Sequence, residues 1–172
     1  MTRHYQRMLK DSHILNDFSP NFIGIQLHSD DCTRISSAQE LRFKTYCLER
    51  KYLAPEKYVD QKEYDEYDCN SEHFGAFDRD HKLVGYVRLV HSDRSGYFPF
   101  QHYGLKLFSG FVLPPPKESG EISRLIVSQH YRRRREDRII PGDQNATECS
   151  EIKVPDRRIH SPQILLNLYR QM

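Results

Sequence analysis

A chain of 172 residues has one-domain length, enough to bury a core without dividing in two. It is 37% hydrophobic and lacks tryptophan, so its 11 tyrosines and 9 phenylalanines must fill much of the interior. The net charge of +2 says nothing about a nucleic-acid partner, and no stretch approaches the run of apolar residues that a membrane span needs.

The N-terminus, MTRHYQRMLKDSHILNDF, has no uninterrupted apolar segment, which excludes a secretory leader on this reading. Cys32, Cys47, Cys69 and Cys149 show neither CxxC spacing nor a short secreted framework, so we read them as free thiols in a reducing cytoplasm. Charge is uneven along the chain. Residues 56–72 hold seven acids against two lysines, while residues 124–138 hold six arginines against two acids. One half of a site can neutralise the other.

In chain order, residues 2–17 form an amphipathic helix pattern, with Tyr5, Met8, Leu9 and Ile14 near helical spacing. NFIGIQLHS at 21–29 reads as a strand, with Phe22, Gly24 and Gln26 on one face and Ile23, Ile25 and Leu27 on the other. Ser37 and Glu40 make a capping box for a helix running to about Arg50, on which Arg42 and Tyr46 are an i, i+4 pair. The acid-rich stretch EYDEYDCNSEH at 63–73 is irregular. Glu63, Asp65 and Asp68 share one face of neither a helix nor a strand, so only a wrapped loop brings them together.

HFGAFDRDHKLVGYVRLVHS at 73–92 is a hairpin with its turn at 78–81, and GEISRLIVS at 120–128 is a further strand. Residues 129–160 are polar, basic and without period, the pattern of a mobile loop. Ser161-Pro162 reads as the N-cap and first residue of a final helix, SPQILLNLYRQM. The chain ends on that open amphipathic pattern, which suggests that more follows. The order predicts an α/β (α+β) fold with a mixed, mostly antiparallel central sheet flanked by helices.

Strand alternation gives the first clue to a site. In KLVGYVRLV it puts Val84, Tyr86, Arg88 and Val90 on one face, and in EISRLIVS it does the same for Ile122, Arg124 and Ile126. An arginine does not lose its charge by deprotonation and is almost never buried unpaired. Two inward arginines therefore call for carboxylates, and Glu63, Asp65 and Asp68 are the nearest concentrated supply, with Arg42 as a third cation. The competing reading is a solvated acidic loop with surface arginines.

These residues also carry a resemblance. Arg42 with Tyr46 and Tyr52, then E63-x-D65-x-x-D68, then Arg88 in GYVRLV, then Glu121 with Ser123-Arg124 in EISRLIVS resembles the acyl-homoserine-lactone synthase pattern. YDEYDCNSEHF, VGYVRLV and EISRLIVSQHYRRR are more similar still to N-acyl amino acid synthases and PEP-CTERM/exosortase-associated acyltransferases, all of the GNAT-like superfamily. The resemblance covers about residues 20–172 and makes 1–172 a single GNAT-like acyltransferase domain, its N-terminal two-thirds. Tyr52 stands where lactone synthases usually carry Trp, and RRRRED replaces the Q/R-x-x-G-x-G/A pyrophosphate loop of coenzyme-A-using members.

The resemblance implies transfer of an acyl group from a thioester, on acyl carrier protein or coenzyme A as co-substrate, to a small amine such as an amino acid. It implies no permanently bound cofactor, no metal, no nucleic acid and no membrane span. An ammonium must lose a proton before it attacks, and Glu121 is the candidate base. Backbone N–H groups of Leu125, Ile126 and Val127 are candidates to hold the thioester oxyanion. In a regular strand Glu121 and Arg124 face opposite sides, and a bulge at 122–123 would unite them. Arg132, Arg133, Arg134 and Arg135 are candidates to dock the acidic carrier protein, with a solvated basic loop as the alternative. Asp68, Asn70 and Glu72 imitate a calcium loop, but His73 and Arg79 occupy its sixth and twelfth positions, which rejects it. Two other functions stay open: a non-catalytic GNAT-like module binding carrier protein or a small ligand, and, with no reading motif to support it, a basic nucleic-acid binder.

Overall fold

In the computed structural model, which describes residues 21–105, 107–132 and 157–172, four strands form one antiparallel sheet in the order β1-β2-β3-β4. These are β1 (Ile23–Leu27), β2 (Ser71–Phe77), β3 (Leu83–Val90) and β4 (Glu121–Val127). Helix α1 (Cys32–Phe43) continues into π-helical turns at Lys44–Glu49, α2 (Pro99–His102) is one turn long, and α3 (Arg157–Gln171) follows β4. The fold is mixed α/β with an antiparallel sheet flanked by helices, as the order of elements predicted. The helix pattern at 2–17 and most of the 129–160 segment lie outside the described residues.

Each strand must alternate between two buried faces, because helices cover both. On one face Phe22, Phe74, Ala76, Val84, Val87 and Val127 pack with Ile164 and Leu168 of α3. On the other, Leu27, Phe77, Leu83, Tyr86 and Ile126 pack with Ala38, Ile35 and Leu41 of α1. Two glycines let α3 lie close to the sheet. A Cβ on Gly24 would come within 2.6 Å of the Asn167 carbonyl, and one on Gly85 would run into Ile164.

Several boundaries differ from the sequence reading. Helix α1 starts at Cys32, because Asp31 accepts the Arg34 N–H (3.1 Å) and caps it. Ser37 therefore sits inside the helix, donating to the Thr33 carbonyl (3.0 Å), and the expected capping box with Glu40 is not a helix start. The helix does not run evenly to Arg50. Its last turns widen, with the Arg50 N–H donating five residues back to Thr45 (2.9 Å). Helix α3 starts at Arg157, so Pro162 lies inside it, not at its first position. Val84 does not share a face with Tyr86. The β2–β3 register shifts at Ala76/Phe77, so that Val84 falls outside the pairing and turns to the α3 side.

Gly24→Ala should lower stability by about 1–3 kcal/mol, because the atom it meets is backbone and does not swing aside. Urea denaturation measures this, and an unchanged midpoint would mean that α3 does not approach β1 so closely.

Candidate functional site

Arginine is the residue that the fold has to accommodate first. Arg42, in the last turn of α1, and Arg88, in β3, are each 1% exposed, and Glu63 between them is fully buried. The acid loop reaches them by wrapping on itself. The Glu63 N–H donates to the Gln39 carbonyl (3.1 Å), which pins the loop to α1. Asp68 accepts the Asp65 N–H (3.0 Å), and Asp65 accepts the Tyr67 N–H (3.0 Å), which curls the loop until its three carboxylates converge.

The expected ion pairs are present. Arg42 donates through Nε to Glu63 and through Nη1 to Asp68 (2.6 Å). Arg88 Nη1 bridges Asp65 (2.5 Å) and Asp68 (2.6 Å), while its Nη2 reaches Asp65 (3.1 Å) and the Ser123 hydroxyl (3.2 Å). Arg124 Nη2 meets Glu63 and Asp65, both at 2.9 Å. Three guanidinium groups thus face three carboxylates, and the cluster is neutral as a unit. Exposure grades along it, from the sealed Arg42–Glu63 end to Asp65 (19%) and Arg124 (26%).

Pairing decides the charge states. Burial works against the Arg42 cation, but the hydrogen bonds to Glu63 and Asp68 outweigh it and hold its pKa above the ordinary value. Burial likewise opposes the charge on Asp68, and the hydrogen bond from Arg42 overcomes it, so this carboxyl titrates below the usual range. Arg88 and Arg124 are raised by Asp65 and Glu63 against their own desolvation. Aromatic faces complete the shell: Arg124 lies 5.2 Å from the Tyr46 ring and Arg42 lies 5.8 Å from Tyr86. Tyr52 contacts Tyr46 from the rim and is 70% exposed.

Sequence reasoning missed His73 and Tyr86. His73 stands opposite Arg88 in the β2–β3 register. Its Nε2 bonds the Asp68 carbonyl (3.1 Å), which only accepts, so Nδ1 carries the lone pair and accepts the Tyr86 hydroxyl (2.6 Å). Burial lowers the His73 pKa and pushes that of Tyr86 up to about 12, so both stay neutral. Hairpin register was the available signal, since the turn at 78–81 already sets His73 across from the Tyr86–Arg88 segment. A pocket of about 230 Å³ opens beside them, lined by Ile35, Ala38, Gln39, Cys69, His73 and Tyr86 and reaching Arg42 and Asp68.

Strand β4 carries the sharpest local departure. Arg88 pairs with Ser123 and Tyr86 with Ile126, so Arg124 and Leu125 together oppose Val87. Arg124 sits in the left-handed region at φ 55°, unusual for a side chain of its size inside a strand. The bulge therefore lies at 124–125, not at 122–123, and Arg124 does not share a face with Ile122, which is 48% exposed, and Ile126 by simple alternation. The Ser128 N–H donates to the Val84 carbonyl (2.8 Å). Alternation from there commits the Ile126 N–H to β3 and points that of Val127 to the other side of β4, an edge of the sheet among the described residues. The Ile126 amide is thus a poor oxyanion donor.

Glu121 pairs with Val90 and lies outside the ion-pair cluster. One of its oxygens accepts the Phe100 N–H (3.0 Å) at the start of α2, and the other has no hydrogen-bond partner among the described residues. Arg132 is committed within the molecule, to Glu49 (2.9 Å) and to the Val127 carbonyl (3.0 Å), which weakens its candidacy as a docking residue. Arg133, Arg134 and Arg135 lie outside the described residues.

Comparison with known proteins gives one finding. The family model described as an acetyltransferase (GNAT) domain matches residues 41–140, more than half of the chain. The matched range takes in Arg42, the acid loop, Arg88 and β4. No curated protein and no solved structure matches.

Two predictions follow from charge and backbone. Left-handed backbone at 124 should reverse the usual strand preference: Arg124→Gly should be more stable than Arg124→Ala by about 1 kcal/mol, whereas in a regular strand glycine is the worse residue. Thermal unfolding of the pair tests it, and alanine proving the more stable would contradict the bulge. His73 should make stability pH-dependent. Its folded pKa is below the ordinary 6.5, so the folded state binds fewer protons there, and its contribution is complete above pH 6.5. Stability should fall as pH drops below 6.5, before the loss due to Asp68 begins below 3.8. Denaturation midpoints between pH 7 and pH 5 should fall less in His73→Gln, and an identical fall in both would remove His73 from the account.

Proposed function

The chain belongs to the GNAT acetyltransferase family, an N-acyltransferase family in general terms, and from that premise we propose that it acylates the amine of an amino acid or a similar small amine. Members take an acyl thioester as co-substrate and keep no permanent cofactor. The donor we infer is acyl carrier protein, with coenzyme A as the alternative, and the branch is that of the N-acyl amino acid synthases and exosortase-associated acyltransferases. The observation that carries this reading is the left-handed bulge of Arg124, clamped by Glu63 and Asp65 at the open end of the buried cluster.

That open end suits an amino acid. Arg124 and Asp65 lie 2.9 Å apart and partly exposed, one cation beside one anion. An amino acid brings the complementary pair, a carboxylate and an ammonium. Tyr46 and Tyr52 would wall the same place.

The chemistry then needs few groups. Glu121, through the oxygen not engaged by Phe100, takes a proton from the ammonium. The free amine attacks the thioester carbonyl, forming the C–N bond, and the oxyanion is held by backbone N–H groups at the bulge, Leu125 and Val127 being the candidates. The intermediate collapses by breaking the C–S bond, and the nitrogen, cationic after the attack, gives its second proton to the departing thiolate, so that a neutral amide and a thiol remain. Arg42, Arg88, Ser123, Asp68 and Glu63 take no part in bond changes and hold Arg124 and Asp65 in place. With Arg132 drawn into its own fold, Arg133, Arg134 and Arg135 are the residues we assign to carrier-protein docking.

Glu121→Gln keeps an acceptor for the Phe100 N–H while removing the base. Turnover, read by mass spectrometry of the N-acyl product, should fall by roughly 10²–10⁴-fold and recover in part at high pH, where free amine accumulates. Parent-like turnover would return Glu121 to a structural role at the start of β4. Absence of any product from carrier-protein and coenzyme A thioesters with a panel of amines would favour the non-catalytic reading.

A further inference from the structure

His73 has no task in the acyl-transfer reading. Its hydrogen bonds reach neither Arg124 nor Glu121, yet both of its ring nitrogens are committed. A stray surface histidine needs no explanation, but one held at both nitrogens beside a cluster of ion pairs does.

The ring ties the sheet to the acid loop. Tyr86, fully buried in β3, donates its hydroxyl to Nδ1 (2.6 Å), and Nε2 donates to the Asp68 carbonyl (3.1 Å). From Asp68 the connection reaches the open end of the cluster in two steps. The Asp68 carboxylate accepts the Asp65 N–H (3.0 Å), and the Asp65 carboxylate meets Arg124 (2.9 Å). Other ties at this end of the loop pass Asp68 by: the Ser71 hydroxyl donates to the Tyr67 carbonyl (2.5 Å), and the Asn70 amide to the carbonyls of His91 and Ser92 (3.0 and 3.1 Å). Arg42 and Arg88 hold the Asp68 side chain, and His73 holds its main chain.

Charge makes the ring more than a strut. It faces Arg42 from α1, Tyr86 and Arg88 from β3, and Asp68 and Cys69 from the loop, while β1 sets the apolar Leu27 opposite it. Burial keeps the ring neutral against the pull of Asp68, and Arg42 and Arg88 add to burial. The cluster beside it is already balanced, three guanidinium groups against three carboxylates. A proton on Nδ1 adds a fourth cation there and makes a donor of the nitrogen that accepts the Tyr86 hydroxyl. That proton has a way in, since the ring is half-buried and lines the pocket of about 230 Å³.

We propose that His73 is a positioning residue for the amine acceptor: through Asp68 it sets the Asp65–Arg124 pair that receives an amino acid. The acceptor in this statement rests on the acyl-transfer reading, whereas the coupling of His73 to the pair does not. Protonation draws Asp68 toward the ring, loosens the Asp65 N–H and weakens acceptor binding, leaving the bond changes at Glu121 as they were.

Two measurements on the full-length protein test this. Proton–nitrogen NMR follows the Asp65 backbone N–H and the Arg124 Nε–H from pH 7 to pH 5 with no acceptor present. Both should shift with the midpoint of the His73 ring. In His73→Gln, which keeps a donor for Asp68 but takes up no proton, neither should. Parent signals that stay in place over that range would overturn the proposal. Steady-state turnover with the common amino acids as acceptors, and thioesters of acyl carrier protein and coenzyme A as donors, is the second measurement. His73→Leu, which removes the donor to Asp68, should raise the acceptor KM by about tenfold, the worth of one hydrogen bond, with kcat near the parent's. His73→Gln should restore the parent KM at pH 7 and lack the parent's rise toward pH 5. A lower kcat at unchanged KM would put His73 in the chemistry, and a parent-like KM in His73→Leu would make it structural alone; either overturns the assignment. If no amino acid is acylated, the acyl-transfer reading fails by itself, and the NMR signals still decide whether His73 sets the pair.

Discussion

Three arginines and three carboxylates closed against one another beneath the acid loop are the constraint on which the site depends. The Arg42 and Arg88 guanidinium groups have entered a low-dielectric environment where they stay charged, so each must keep its partners or the fold loses several kcal/mol. No member is free to move alone. Glu63 joins α1 to β4 by holding both Arg42 and Arg124, and Asp65 joins the loop to β3 and β4 by holding Arg88 and Arg124. A loop without helix or strand geometry of its own at Glu63 and Asp65 is thereby tied to one helix and two strands at once.

The cluster also explains why a strand carries a left-handed arginine. At 124 the backbone leaves regular geometry, at a cost of order 1–3 kcal/mol, and the ion pairs to Glu63 and Asp65 offset it. In return the side chain of Arg124 joins Ser123 on the acid side, while Ile126 returns to the core two residues later. The widened π-helical turns at Lys44–Glu49 act in the same direction, bringing Tyr46 against Arg124. Two irregularities, one in a helix and one in a strand, meet at the open end of the cluster where a zwitterionic acceptor would lie.

Much of this was legible in the sequence because the residues involved are charged. Arg88 could be placed inward from alternation in GYVRLV, and the need for nearby carboxylates followed from the permanence of its charge. Arg124 was placed with the acids by the same rule, but the rule does not hold there, since the bulge rather than alternation turns it inward. Backbone irregularity is what sequence reading lost. Nothing in LVGYVRLV announces that Val84 drops out of the pairing, and a capping-box pattern at Ser37 obscured the shorter Asp31 cap upstream. His73 stayed hidden for another reason: as a lone histidine with no ligand pair it matched no motif, and only the cross-strand geometry gives it Tyr86. The exposed apolar side chains of Tyr103, Leu105, Phe108, Phe111 and Val112 lay in a stretch with no period to read.

The most direct test of this account asks whether the acid loop and β4 are one mechanical unit. Hydrogen–deuterium exchange, followed residue by residue in the parent and in Glu63→Gln, reports on both at once. The account predicts that loss of the buried carboxylate raises exchange in the loop at 63–70 and, together with it, at 123–127 across the bulge, while β1 and α3 are unchanged. Faster exchange in the loop alone, with β4 as protected as before, would contradict it.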